Sequence, residues 1–252
     1  IQSDKVISLT RRRLEKRVTK NKETINRTKP NTRVIAITSG KGGVGKTNIV
    51  ANLGFALTRL GKKVLILDAD LGLGNIDILL GLAPKHNLSH VIAGAKAISE
   101  ITVDGPGDMK ILPASSGIQE LTQLTNAQQI NILTELDRLA DPIDIILIDT
   151  AAGISSNVMY FTTAAQEIMV VASPEPTSIT DAYALMKILS LKYSESHFKL
   201  LVNLARTASE AEEVFRQLHL VAERFLNISI DYVGNVLFEE NVTRSVKRQE
   251  LV

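Results

Sequence analysis

An α/β fold, with a doubly wound, mostly parallel sheet and helices on both faces, is what this sequence predicts, on three observations. Short apolar runs of strand length alternate with longer stretches whose apolar residues recur at helical spacing. Some of the short runs, such as Ile143–Ile148, are apolar almost throughout, the pattern of strands covered on both sides. A glycine-rich stretch, Ser39-Gly40-Lys41-Gly42-Gly43-Val44-Gly45-Lys46-Thr47, joins the first run to the first helical pattern. In such sheets ligands collect outside the carboxyl ends of the strands. The residues that follow each run are therefore the ones to weigh for function.

Taken in order, residues 1–33 come first as a basic arm. They hold 11 Lys/Arg against 3 Asp/Glu, a net of +8, so residues 34–252 carry 2 − 8 = −6. Ile7, Leu14, Val18 and Ile25 fall on one helical face between Arg11-Arg12-Arg13 and Lys16-Arg17, with Pro30 beyond. The face is thin and the reading is a solvated arm; the alternative is a basic amphipathic helix for a membrane, nucleic acid or partner.

Residues 34–252 form the domain. Val34–Thr38 reads as the first strand. Thr47–Leu60 reads as a helix with Ile49, Val50, Leu53, Ala56, Leu57 and Leu60 on one face, closed by Gly61. Val64–Leu67 is a second buried strand. Ile76–Leu80 and Ser89–Ala93 are short helices between Gly81, Pro84 and Gly94, and Met109–Leu112 is a short strand. Asn126–Ala140 is a helix with Ile130, Leu133 and Leu136 inward. Ile143–Ile148 and Ile168–Ala172 are strands, and a helix covers about Thr177–Leu191. Leu200–Asn203 is a strand, Glu210–Phe225 a helix, and Tyr232–Leu237 the last strand.

Composition narrows the chemistry. The chain has 252 residues, 44% hydrophobic, enough for one sizeable core. It has no cysteine, which excludes disulfides and cysteine-held clusters. No apolar run reaches membrane-spanning length and no secretory segment is legible, so a cytoplasmic protein is expected. The four histidines are scattered without ligand spacing, and no Ser–His–Asp order or HExxH is present.

The glycine-rich stretch carries the strongest motif. Gly40, Gly45, Lys46 and Thr47 match G-x-x-x-x-G-K-[ST], set between a strand and a helix as that motif requires. Glycines let successive amides curl inward into an anion cradle, and the helix adds its positive end. Lys46 can reach the β- and γ-phosphates, and the Thr47 hydroxyl can ligate Mg²⁺. Downstream, Asp68-Ala69-Asp70 follows the second strand and Asp149 ends Ile145–Ile148, both at the carboxyl ends where an acid can hold Mg²⁺ or orient water. Asn203 ends a later strand; an amide there can donate and accept together, though Asn also favours turns.

With Lys41 inside the loop, the string K-G-G-x-G-K-[ST] resembles the deviant Walker A signature of the MinD/ParA class of P-loop ATPases. The resemblance runs from about Val34 to the end. It implies an ATP/ADP and Mg²⁺ site built on Gly40, Lys41, Gly42, Gly43, Val44, Gly45, Lys46, Thr47 and Asn48. It implies that Lys41 crosses a dimer interface to the partner's nucleotide, that Asp70 positions the hydrolytic water, and that Asp68 lies nearer the metal. Asp149 resembles a Walker B aspartate, binding Mg²⁺ with Thr47. Thr150-Ala151-Ala152-Gly153 resembles switch II, with Ala151 where many relatives have proline, and Gly153 would sense the γ-phosphate. Asn203 would read the adenine edge, while Leu237 stands where a proline usually follows the last strand.

Leu67-Asp68-Ala69-Asp70-Leu71-Gly72-Leu73-Gly74-Asn75-Ile76-Asp77 resembles the MinD and FleN/FlhG branches. Asp149–Ile154, Glu175–Leu185 and Glu223-Arg224-Phe225-Leu226 resemble FleN/FlhG in particular. That branch implies an ATP-dependent homodimer with weak ATPase activity that restricts flagellar number. It restrains a FleQ-type σ54-dependent activator and works with the GTPase FlhF. The Asp-Gln-Ala activator motif of many FlhG proteins is not legible; Ser3-Asp4-Lys5 is its nearest counterpart. Relatives continue past the position of Val252 into a region with an amphipathic membrane helix, so contact with the inner membrane or the cell pole is expected of that helix, absent here. Direct nucleic-acid contact is not expected. The rival readings are a MinD-like division-site ATPase, a ParA-like DNA-partitioning ATPase using the basic arm, and an ATP-dependent ligase.

Overall fold

A computed structural model describes residues 32–115, 123–139 and 142–252. The basic arm lies outside the described residues. The elements are β1 (Arg33–Ser39), α1 (Lys46–Arg59), β2 (Val64–Ala69), α2 (Ile76–Leu79), α3 (Leu88–Ile92), α4 (Ile98–Ile101), β3 (Val103–Asp104) and β4 (Lys110–Leu112). They continue with α5 (Asn126–Asp137), β5 (Ile145–Ala152), α6 (Ser156–Ala164), β6 (Glu167–Ala172), α7 (Pro176–Tyr193), β7 (His197–Ala205), α8 (Ala208–Leu226), β8 (Ser229–Leu237) and α9 (Glu240–Arg248).

Among the described residues eight strands make one sheet in the order β3-β4-β2-β5-β1-β6-β7-β8, parallel throughout except for the β3–β4 pair at one edge. The expected doubly wound sheet is therefore present. Alternation along β1 shows why both faces are covered. Val34 and Ala36 point into a core closed by α3 to α6, whereas Ile35 and Ile37 point into one closed by α1 and α2. A third cluster fills the space under α7 and α8, beside β6 to β8. Among the described residues no helix is long and apolar enough to cross a membrane.

Local chemistry sets the helix ends. Thr125, Ser155 and Thr207 cap α5, α6 and α8 through side-chain oxygens that accept first-turn amides. Pro176 opens α7 where its missing N–H costs nothing. Asn227 closes α8 at φ 52°, a left-handed position that Asn tolerates.

Several expectations need correction. Helix α1 buries Val50, Ala51 and Gly54; Ala56 and Leu60 face solvent, so the inward stripe is centred one residue away from the expected one. Gly54 is buried because α1 lies so close to the sheet that an added Cβ would meet Ile66 at 2.9 Å. Ile130 is exposed, and Ile132 joins Leu133 and Leu136 in the core instead. Two strands run further than their apolar cores: β2 includes Asp68, and β5 includes Asp149 and continues to Ala152. Both aspartates are buried parts of strands rather than loop residues. Asn203 lies in β7 as expected, and that strand extends to His197 and Ala205.

Candidate functional site

The strand order puts the carboxyl ends of β2, β5 and β1 side by side. The segments that leave them, residues 70–75, 153–155 and 40–45, converge on the start of α1. Gly43 (φ 81°) and Gly45 (φ 87°) take left-handed backbone that other residues resist, and Gly45 is the N-cap of α1. No side chain caps this helix and its first turn holds no acid, so its leading amides and positive end remain for an anion.

Gly40 has a different reason for being glycine. A Cβ there would sit 2.1 Å from the Asp181 carbonyl oxygen of α7, so the loop rests directly on that helix backbone. The loop is also tied from behind. The Asn203 Nδ2 donates to the Val44 carbonyl at 2.8 Å, and Ser39 Oγ donates to the Lys41 carbonyl at 2.7 Å.

In front of the loop lies a cleft of about 680 Å³. Gly42, Gly43, Gly45, Lys46, Thr47 and Asn48 line one side, and Asp70, Asn75, Ile78 and Leu79 line the other. Ala152 and the C-terminal residues Val246, Lys247 and Gln249 complete it. Burial lowers the Lys46 ammonium from its ordinary value, against the opposing pull of Asp149 and Asp70. Asp149 is buried, and its pKa is pushed up to about 6, first by burial and then by Asp70, against the Thr47 hydrogen bond and the Lys46 charge. Among the described residues its buried Oδ1 has no hydrogen-bond partner. A carboxylate oxygen with no partner, beside a threonine hydroxyl, is the donor set a hard divalent cation takes. The open helix end, the left-handed glycines and Lys46 suit a polyphosphate in the same way.

Asp68 is recessed further. Its Oδ1 accepts from the Asp70 amide at 3.1 Å, and its Oδ2 accepts from Asn75 at 3.1 Å and Ile76 at 3.3 Å. Burial and the facing Asp149 push its pKa up to about 8. Both oxygens thus shape the 70–76 loop. Asp70 is more open and accepts from the Leu73 amide at 3.2 Å.

Two expected contacts are differently engaged. The Gly153 amide donates to the Ser39 carbonyl at 2.9 Å, so it bridges β5 to the start of the loop rather than facing the cleft. Lys41 is half-exposed and turns away from the cleft: its ammonium pairs with Glu175 and donates to Thr177 Oγ1 at 2.9 Å. Lys46, Thr47, Asp149 and Asp70 therefore come together, while Lys41, Asp68, Gly153 and Asn203 surround them as second contacts of the loop. The C-terminal wall had no sequence signal of its own. There Gln249 Nε2 donates to the Ile78 carbonyl at 2.6 Å, and the Val252 amide donates to Asn52 Oδ1 at 2.8 Å.

Comparison with known proteins gives a consistent picture. A family model described as an AAA domain matches residues 32–201. The chain is 44% identical over 219 residues to the antiactivator FleN of Pseudomonas aeruginosa, covering 87% of this chain and 78% of that protein. It is 32% identical to the flagellum site-determining protein YlxH of Helicobacter pylori, covering 92% and 79% respectively. Among solved structures it resembles the MinC:MinD cell division protein complex of Aquifex aeolicus, with a TM-score of 0.69, 31% identity and 87% of each chain covered.

Proposed function

Because this chain belongs to the MinD/ParA family of P-loop ATPases, within its FleN and FlhG/YlxH branch, we propose that it is an ATP-operated dimerising switch that restricts flagellar number. The observation that carries the proposal is the grouping of Lys46, Thr47 and the Asp149 carboxylate, whose Oδ1 has no partner among the described residues, under an uncapped helix, with Asp70 at the mouth of the cleft. The likeness to an antiactivator and to a flagellum site-determining protein supports the biological reading.

Bound Mg²⁺ would supply charge neutralisation along the triphosphate chain. Thr47 and Asp149 would hold the ion, the amides of 42–47 would bind the phosphate oxygens, and Lys46 would neutralise their outer end. Asp70 would orient the attacking water. Asp68 would keep Asp70 in reach by accepting the Asp70 amide and the Asn75 amide at the far end of the loop. Lys41 would leave Glu175 and reach across to the nucleotide of a second copy. Leu73 and Ile154 on the loops and Ile78 on α2 are exposed around the cleft, at 70%, 55% and 56%, and would be covered in such a dimer. Hydrolysis would then end the dimeric state. Its partners would be a FleQ-type σ54-dependent activator and the GTPase FlhF, met in the cytoplasm or at the inner membrane near the pole.

The test is the mass in solution with ATP and Mg²⁺. Asp70→Ala should trap a dimer with intact ATP, and Lys41→Ala should stay monomeric. Monomeric Asp70→Ala with ATP retained would overturn the dimer switch. The likeness to MinD favours one other reading, a division-site ATPase. Deleting the gene should raise the flagellar count per cell without misplacing septa; misplaced septa with normal flagella would favour the division-site reading.

A further inference from the structure

We infer that Asn203 is a positioning residue for the phosphate loop, and that this role is separate from any contact it makes with a base. The inference rests on the nucleotide-site reading above and deepens it. Asn203 is 5% exposed, and its Nδ2 lies 2.8 Å from the carbonyl oxygen of Val44, itself 2% exposed. A carbonyl can only accept, so the amide nitrogen must face it. The peptide between Val44 and Gly45 is planar and trans, so its C=O and N–H point in opposite directions. Holding the carbonyl toward Asn203 aims the Gly45 N–H to the other side, where Gly45 lines the cleft. Asn203 thus sets the orientation of a cradle amide from behind.

Two further observations fit this role. A Cβ at Gly45 would lie 2.4 Å from Asn203 Nδ2, so side chain and loop are in closest packing. Leu204 adopts φ 62°, a left-handed conformation that a leucine resists, and the β7–β8 register slips between Asn203 and Ala205. Strand β7 departs from regular geometry next to the residue that reaches the loop. Among the described residues the Asn203 side chain bonds only Val44, so one N–H and Oδ1 are left over for a base edge. The same side chain can therefore join the base end of a ligand to its phosphate end.

A ligand with phosphates and no base separates the two roles. The full chain is titrated calorimetrically with Mg-ATP and with Mg-tripolyphosphate, as wild type, Asn203→Ala and Asn203→Asp. The aspartate keeps the shape of the side chain but replaces the donor with a charged acceptor, which also repels an anion. The alanine variant should bind tripolyphosphate about tenfold more weakly than wild type, the effect of a lost buried hydrogen bond. ATP should weaken at least as much. In both ligand-free variants, amides 43–46 should exchange hydrogen faster while those of α8 stay unchanged; if the alanine variant does not fold, loop exchange in the ligand-free aspartate variant decides. A loss confined to ATP, with tripolyphosphate binding and loop exchange as in wild type, overturns the inference and leaves Asn203 as a base contact alone. Unchanged binding of both ligands also overturns it. A wild type that binds neither ligand overturns the underlying nucleotide-site reading, a result distinct from these.

Discussion

Adding a single methyl group at Gly40 should unfold this protein more readily than adding it at Gly42, although both glycines belong to the same loop. At Gly40 the new Cβ would lie 2.1 Å from the Asp181 oxygen and 2.2 Å from its carbonyl carbon, where ordinary contact starts at 3.4 Å. The shortfall is 3.4 − 2.1 = 1.3 Å, and both sides of the contact are backbone, so no side chain can swing away. Overpacking of this kind costs about 1–3 kcal/mol where side chains can adjust; with helix α7 as the obstacle, about 3 kcal/mol is expected for Gly40→Ala. For a chain of this size that is a fall of about 6–12 °C in Tm. At Gly42 the new Cβ would meet only the Ala152 Cβ at 3.9 Å, so Gly42→Ala should stay within about 0.5 kcal/mol of wild type. Circular-dichroism melts of the three ligand-free proteins measure the difference directly. Equal melting of the two variants, or a Gly40→Ala melt within about 2 °C of wild type, would refute the argument that the loop rests on the α7 backbone.

Other perturbations follow from the same contacts. Glu175→Gln removes a half-exposed ion pair that holds Lys41 in the monomer, so nucleotide-dependent self-association should tighten up to about fivefold, the equivalent of at most about 1 kcal/mol; sedimentation that shows no change or a weaker dimer would count against Lys41 exchange. Leu204→Gly relieves left-handed strain at a partly exposed site and should raise the urea midpoint by the equivalent of about 0.5–1 kcal/mol; a lower midpoint would mean that leucine packing outweighs the strain. Asp68 and Asp149 have folded pKa values of about 8 and about 6, above the ordinary 3.8, so the folded chain retains protons that the unfolded chain has released. Their contribution to stability therefore falls as pH rises from about 4 to 8; the ligand-free urea midpoint should drop across that window in wild type, and less so in Asp149→Asn.

Much of the site is legible in local sequence because phosphate binding depends on consecutive residues. Gly43 and Gly45 need left-handed backbone, Lys46 and Thr47 open the helix, and all four are read from one string. Alternating apolar runs likewise reveal the sheet. What stays hidden depends on packing between distant segments. Nothing around Asn203 announces that its amide faces Val44, 159 positions away. Gly40 looks like another cradle glycine until α7 is seen against it. Lys41 sits beside Glu175 and Thr177 only because β1 and β6 are neighbours. Strand ends are hidden for a related reason: Asp68 and Asp149 are polar, and only tertiary burial shows that they continue their strands. Helix α9 turns only Val242 and Val246 inward as apolar residues, and both stay half-buried, so its stripe is too short to stand out in the sequence.

The central position of β1 has a consequence for how the molecule comes into being. Its two neighbours, β5 and β6, begin at Ile145 and Glu167, more than a hundred residues further along. Pairings between such distant segments form slowly, because a long stretch of chain must be closed before they return any stability. At about 5–20 residues per second, a ribosome that has finished the loop needs roughly 5–20 s more to deliver β5. Throughout that interval the nascent chain carries the entire glycine-rich string without the strands that hold it in shape. Affinity for a triphosphate should therefore arise late in synthesis, and chains stalled before residue 145 should possess the motif while lacking the grip.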